Sequence, residues 1–179
     1  RAGIPYEKYY ASEIDKHAIK VATCNYPDTI ELGDINNWRQ WPIDWAQVDL
    51  ILAGSPCQGF SFAGKQLAFD DPRSRLFFVF VDILNHVKTV NPKVKFLLEN
   101  VVMKQEFQEI ITQQVGVEPV LINSALVSAQ NRKRLYWANW QFEQPQDKGI
   151  LLKDIVESSD VYKCARITGR KINPETGKR

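Results

Sequence analysis

Apolar and polar positions fall in short, regularly spaced blocks along the chain, and the spacing switches between two periods. Residues 48–53 form the clearest apolar run, and it ends in the turn signal Gly54-Ser55-Pro56, so a buried strand is predicted there. From 74 to 90 the apolar residues are Leu76, Phe77, Phe80, Ile83, Leu84 and Val87, a 3.6-residue period that predicts an amphipathic helix. Pro92 ends it. Upstream, 7–12 and 29–32 read as strands with a helix over 14–25 between them. Downstream, 95–98 reads as a strand running into Glu99-Asn100, and 102–114 as a helix. Two further strands, over 118–125 and 134–139, are candidates to pair with each other, and 150–156 suggests a short helix. Beyond Tyr162 the chain is polar and turn-rich, with Gly169, Pro174 and Gly177.

Alternation of strands and helices predicts an α/β fold: an open, mostly parallel sheet with helices on both faces. Ligands of such sheets sit beyond the carboxyl ends of the strands. Glu13, Asp34, Cys57 and Glu99 follow the first four predicted strands in turn. A packed core has no need of polar groups there, so their recurrence points to a site.

Composition narrows the class. The apolar share is 44% and the charged share 25%, as in globular domains generally. No apolar run approaches the roughly 20 residues needed to span a membrane, and no secretory leader pattern is visible. The formal net charge of +2 makes no bulk case for nucleic acid. The basic residues are clustered, however, at Arg132-Lys133-Arg134 and again at Lys163, Arg166, Arg170, Lys171, Lys178 and Arg179. Such clusters can meet phosphates, or simply be a solvated surface. Three separated cysteines, Cys24, Cys57 and Cys164, fit neither a disulfide framework nor a metal site. A reducing, cytoplasmic setting and no bound metal are the expectations.

Three segments carry candidate chemistry. Cys57 lies in Gly54-Ser55-Pro56-Cys57-Gln58-Gly59-Phe60-Ser61, directly after a buried strand. A thiol there is partly exposed and close to free backbone N–H groups, the conditions that favour a nucleophilic thiolate. A lone loop cysteine is nevertheless more often structural. Glu99 ends the next strand, where a carboxyl group can hold or deliver a proton, or simply form a salt bridge. In Gln130-Asn131-Arg132-Lys133-Arg134, an extended conformation would turn Gln130, Arg132 and Arg134 to one side. Two arginines so placed suit a phosphate or a carbonyl oxygen, although an exposed basic strand would look the same.

Taken together and in this order, Pro56-Cys57-Gln58, Glu99-Asn100-Val101 and Gln130-x-Arg132-x-Arg134 resemble the cytosine-C5 DNA methyltransferase family. Tyr10-Ala11-Ser12-Glu13-Ile14-Asp15 and Gly33-Asp34-Ile35 resemble its cofactor-side motifs, and Arg75-Leu76-Phe77-Phe78 its bacterial, phage and animal de novo members. The resemblance covers about residues 1–140. It implies a Rossmann-like, S-adenosylmethionine-dependent methyltransferase fold acting on double-stranded DNA. Cys57 would add to C6 of a flipped-out cytosine, and Glu99 would bind N3 and the exocyclic amine. Arg134 would contact the cytosine O2, and Arg132 would position Glu99 and the thiol loop. Gln58, Ser61, Asn100 and Gln130 would serve the substrate side. On the cofactor side, Glu13 would take the ribose hydroxyls and Asp34 the adenine amine. Ile14 and Ile35 would flank the ring, with Pro56 and Leu76 lining the same pocket.

The family's Gly-rich cofactor loop has no counterpart before Glu13, and most of a target-recognition region has none after about residue 160. The expected organisation is therefore a catalytic core over 1–159, with 160–179 a loop or the start of a truncated recognition region. The resemblance also implies a bacterial or phage setting and a cognate restriction endonuclease as partner. Two other readings share the motifs: a tRNA cytosine-C5 methyltransferase, and a non-catalytic regulatory subunit of the same fold. Ser55 before Pro56 favours the DNA enzyme. Retention of Cys57, Glu99 and both arginines disfavours the silent subunit.

Overall fold

The computed structural model of the chain describes residues 3–55 and 72–156. In chain order its main elements are β1 (Tyr9–Ala11), α1 (Lys16–Asn25), β2 (Thr29–Glu31), β3 (Leu50–Gly54), α2 (Pro72–Val90), β4 (Lys95–Val101), α3 (Gln105–Val115), β5 (Pro119–Asn123), β6 (Lys133–Ala138) and α4 (Leu152–Ile155). Short 3₁₀ turns occupy Ile35–Gln40, Trp45–Gln47 and Ser124–Leu126.

Local chemistry explains several boundaries. Asp15 Oδ1 accepts from the His17 and Ala18 amides at 2.7 and 3.1 Å, capping α1 at its start. Helix α3 ends at Gly116, whose φ of +81° places it in the left-handed region where its N–H reaches Thr112 O. The two 3₁₀ turns between β2 and β3 are capped by Asp34 and Asp44. They carry Trp38, Trp41 and Trp45, whose spacing fits neither a strand nor an α-helix, and the sequence pattern did not predict them.

Strands β1 and β2 pair in parallel, with Tyr9 opposite Thr29 and Ala11 opposite Glu31. A separate four-stranded sheet has the order β3-β4-β6-β5. Here β3 and β4 are parallel, while β6 runs antiparallel to both β4 and β5. The α/β expectation holds, and so does the pairing of the last two strands. The sheet is more mixed than the expected mostly parallel one because residues 124–132 link β5 to β6 without a crossover helix, which leaves antiparallel pairing as the available geometry.

Alternation along β4 and β6 turns Phe96, Leu98, Leu135 and Trp137 to one face, and all four are buried. Helix α2 packs Phe77, Phe80, Val81 and Leu84 into the same cluster, and α3 adds Phe107, Ile111 and Val115. Both helices thus share one face of this sheet. On β3, Leu50 and Leu52 stay 38% and 57% exposed. A second cluster joins Ile83, Val87 and Val94 to Trp38 of the first 3₁₀ turn. Among the described residues, no helix is long and apolar enough to cross a membrane.

Side-chain hydrogen bonds finish the sheet. Asn139 Oδ1 accepts from Phe96 N at 3.0 Å and its Nδ2 donates to Val94 O at 2.8 Å, so its amide continues the ladder past the end of β6. Trp137 Nε1 donates to Thr112 Oγ1 at 3.0 Å, giving the buried indole a partner on α3.

Leu98 is fully buried between the helices and the sheet. Leu98→Ala is expected to lower the unfolding free energy by about 2–5 kcal/mol, read by urea denaturation. A loss under about 1 kcal/mol would mean that the core does not lie on this face.

Candidate active site

The candidate catalytic groups gather at the carboxyl ends of β3 and β4. Gly54 and Glu99 are register partners on these parallel strands. A methyl group on Gly54 would meet Glu99 Oε2 at 3.5 Å, an ordinary van der Waals contact, so Gly54 lies directly beside the carboxylate. Next along β4, Asn100 is 2% exposed, the one buried polar residue of the described core. Its Nδ2 lies 3.3 Å from Ser55 O and 3.1 Å from Ser55 Oγ, and its Oδ1 accepts from the Val101 amide at 2.8 Å. Asn100 therefore ties the end of β4 to the residue that leads into Pro56 and Cys57. Pro56, Cys57, Gln58 and Ser61 themselves lie outside the described residues.

Glu99 projects to the face opposite Leu98. Its Oε1 is 2.7 Å from Arg134 Nε, with the two side chains 32% and 17% exposed. Arg134 is placed by β6, opposite Val101 and one diagonal step from Glu99. Its Nη1 also donates to Lys133 O at 2.8 Å, which holds the guanidinium plane. Arg134 was expected on the substrate oxygen and Arg132 on Glu99. In the structure Arg134 pairs with Glu99, while the Arg132 side chain is exposed and has no partner among the described residues. The reason is that β6 begins at Lys133. Gln130, Asn131 and Arg132 are irregular backbone, so the alternation that would have put Gln130, Arg132 and Arg134 on one face does not operate there. Gln130 is exposed and its amide donates to Ser128 Oγ at 3.3 Å.

The second group of candidates lies at the ends of β1 and β2. Ser12 Oγ donates to Gly33 O at 2.7 Å. This bond was not foreseen, and it joins the residue before Glu13 to the residue before Asp34. Gly33 turns with φ +72°, a conformation that side-chain-bearing residues rarely adopt. Glu13 Oε1 folds back to accept from the Ile14 and Asp15 amides at 2.7 and 2.8 Å. Asp34 Oδ1 accepts from Asn36 N at 2.9 Å and Asn36 Nδ2 at 2.7 Å, so the turn-forming role open to this residue is realised. Each carboxylate keeps its second oxygen clear of any hydrogen bond among the described residues. Two exposed carboxylates on neighbouring parallel strand ends can take the paired hydroxyls or the amine of a nucleoside.

The apolar candidates divide. Ile14 is 72% exposed and free to cover a flat ligand. Ile35 is instead half-buried against the cluster of Trp38, Ile83, Val87 and Val94. Leu76 is half-buried in the early turns of α2.

Comparison with known proteins bears on what this arrangement is for. The model of the C-5 cytosine-specific DNA methylase family matches residues 1–163. The type II methyltransferase M.NlaIV of Neisseria lactamica is 37% identical over 142 residues, 79% of this chain and 31% of its own length. M.HgiCI of Herpetosiphon aurantiacus, also a type II methyltransferase, is 33% identical over 98% of this chain and 41% of its own. The orphan methyltransferase M.SPRI of Bacillus phage SPR is 36% identical over 75% of this chain and 32% of its own. The chain thus spans less than half the length of these relatives. A solved structure described as a prophage-encoded DNA modification methyltransferase (E. coli) superposes with a TM-score of 0.58 at 22% identity, covering 82% of this chain and 47% of that one. It supports the fold. With the family model matching residues 1–163 and relatives at least a third identical, the chain belongs to the C-5 cytosine-specific DNA methylase family.

Proposed function

We propose that this chain is the central part of the catalytic domain of a DNA (cytosine-5-)-methyltransferase that uses S-adenosylmethionine and double-stranded DNA. The observation that carries the reading is the junction at the ends of β3 and β4. There Glu99 is held by Arg134 at 2.7 Å, and the neighbouring Asn100 ties β4 to Ser55, two residues before Cys57. A thiol that follows one strand in sequence and a carboxylate anchored on the adjacent parallel strand can work on one small ring.

Cytosine in a duplex hides C5 and C6 within the stack, so the base has to be turned out before either group reaches it. The Cys57 thiolate adds to C6, forming an S–C bond and pushing electron density towards C5. Glu99 binds the N3 and amine edge, which stabilises the ring as it accepts those electrons. S-adenosylmethionine supplies an electrophilic methyl group for C5. Loss of the C5 proton and departure of Cys57 then restore the aromatic ring and the free thiol. Arg134 orients Glu99, with the rest of its guanidinium available to the base. Arg132, exposed beside it, suits a DNA phosphate.

The cofactor fits the residues present. Glu13 and Asp34 each offer one free carboxylate oxygen, and Ser12 links their loops. Glu13 would hold the ribose hydroxyls and Asp34 the adenine amine, with Ile14 against the ring. Pro56, Leu76, Gln58, Ser61 and Gln130 keep the roles that the family resemblance implies. A cytoplasmic setting and a cognate restriction endonuclease belong to the same reading, since the relatives include type II methyltransferases of bacteria.

The decisive test uses the intact protein with duplex DNA containing 5-fluorocytosine, whose C5 substituent cannot leave as a proton. A covalent adduct is expected with the cofactor and none with Cys57→Ser. A folded, cofactor-bound protein that traps no DNA would defeat the proposal, and methyl transfer to tRNA alone would redirect it to RNA. Glu99→Gln is expected to lower kcat about a hundredfold or more at unchanged cofactor affinity.

Calorimetric titration with S-adenosylmethionine tests the other end. Glu13→Ala is expected to weaken binding about tenfold to a hundredfold. Asp34→Asn keeps an oxygen for the Asn36 cap, so it should weaken binding without loss of fold. Unchanged affinity in both variants would exclude this pair as the nucleoside site.

A further inference from the structure

The Glu99–Arg134 contact depends on the register of β6, and one side chain outside the site closes the loop through which β6 is entered. Strand β5 ends at Asn123 and β6 begins at Lys133, and these two residues are the last register pair of the ladder. Between them run residues 124–132, containing one 3₁₀ turn and otherwise irregular. Asn123 closes this loop on itself. Its Oδ1 accepts from Ala125 N at 3.1 Å, at the loop's start, and from Arg132 N at 3.0 Å, at its end. Its Nδ2 donates to Asn131 Oδ1 at 3.0 Å. Beside it, Ser124 N donates to Arg132 O at 3.0 Å.

Register matters because side chains alternate along a strand. A slip of one residue would turn Arg134 to the face of Phe96 and Leu98 and bring Lys133 or Leu135 to the face of Glu99. Either outcome would bury a charge against the core or leave Glu99 without its arginine. Buried Leu135 and Trp137 hold the body of β6 in register, whereas Arg132, Lys133 and Arg134 at its entry are all basic and offer little discrimination of their own. The amide of Asn123 does discriminate: it reads the backbone of Arg132 and the side chain of Asn131 at once.

We propose that Asn123 is a positioning residue for the reaction: it fixes the entry of β6 and thereby seats Arg134 on Glu99. It touches neither. The link to catalysis rests on the methyltransferase reading above, whereas the link to Arg134 is structural and can be measured without activity.

The experiment compares Asn123→Ala with Asn123→Asp in the intact protein. Aspartate keeps both acceptor bonds, and the Asn131 amide can turn its NH₂ towards it. The first readout is exchange of the Arg134 Nε–H with water, followed by ¹⁵N NMR, because that proton lies in the contact with Glu99. Exchange is expected to rise about tenfold in Asn123→Ala and to stay within about twofold of wild type in Asn123→Asp. Exchange unchanged in Asn123→Ala would overturn the proposal. If that variant does not fold, Asn131→Ala removes a single bond of the clasp and should raise exchange about threefold, with no change again decisive against it.

The second readout is methyl transfer. Asn123→Ala is expected to lower kcat about tenfold with KM for DNA within about twofold, and the loss should disappear when Arg134 is already Ala. A loss that persists undiminished in the Arg134→Ala background would show that Asn123 does not act through Arg134. A wild-type protein that methylates no cytosine, yet shows the Asn123-dependent exchange, would overturn the functional reading and leave the positioning role standing.

Discussion

Phe96 and Leu98 are buried completely against the two long helices, and every other feature near Glu99 follows from that packing. Side chains on a strand alternate, so once Leu98 faces the helices, Glu99 faces the other way. Asn100 then returns to the buried side, where an unpaired amide would be costly, and finds its partners on Ser55. One strand thus carries three consecutive duties: core, carboxylate and anchor for the loop that leads to Cys57. Moving the strand by a single residue would exchange them. The apolar core is therefore what aims the polar groups.

The ion pair between Glu99 and Arg134 has a different character. Its side chains are 32% and 17% exposed, so water screens the attraction. Pairs with this much solvent access contribute only about 0–1 kcal/mol to folding. A contact of so little value to stability is better understood as a means of orientation. A guanidinium held at Nε and Nη1 offers a planar fork with its remaining donors directed outwards. The same economy holds at Glu13 and Asp34, where one carboxylate oxygen is spent on local backbone and the other is left over.

The legible parts of the sequence were those with a strong period or a local chemical signal. Helix α2 was foreseen because five of its six periodic apolar positions, Phe77, Phe80, Ile83, Leu84 and Val87, are buried in a continuous stripe. The strand ends that carry Glu13, Asp34 and Glu99 were foreseen because apolar runs stop there. The 3₁₀ turns with Trp38, Trp41 and Trp45 were not, because tryptophans packed edge to face across a turn follow no strand or helix spacing. The pairing of Glu99 with Arg134 was not foreseen because a motif of alternate residues looks extended throughout, while the actual strand starts between Arg132 and Arg134, at Lys133. Ser12 and Asn123 were missed for a related reason. A polar residue just after or at a strand end is ordinary in sequence, and only the fold shows what it reaches. The pairing Asn123-Ser124 before a turn, a common capping signal, was the one available hint.

Helix α2 brings the two halves of the candidate site under one constraint. Phe77, Phe80, Val81 and Leu84 lie in the cluster with Phe96 and Leu98, beneath the strand that holds Glu99. Ile83 and Val87 lie in the other cluster, against which Ile35 packs, next to Asp34. Its first residue, Pro72, follows the segment that contains Cys57. Protein interiors are packed too densely for one side of such a helix to shift while the other stays in place. A displacement of α2 would therefore be felt at both the β4 strand end and the turn after β2. The apolar stripe that first identified this helix in the sequence is also what keeps the turn after β2 and the end of β4 in fixed relation.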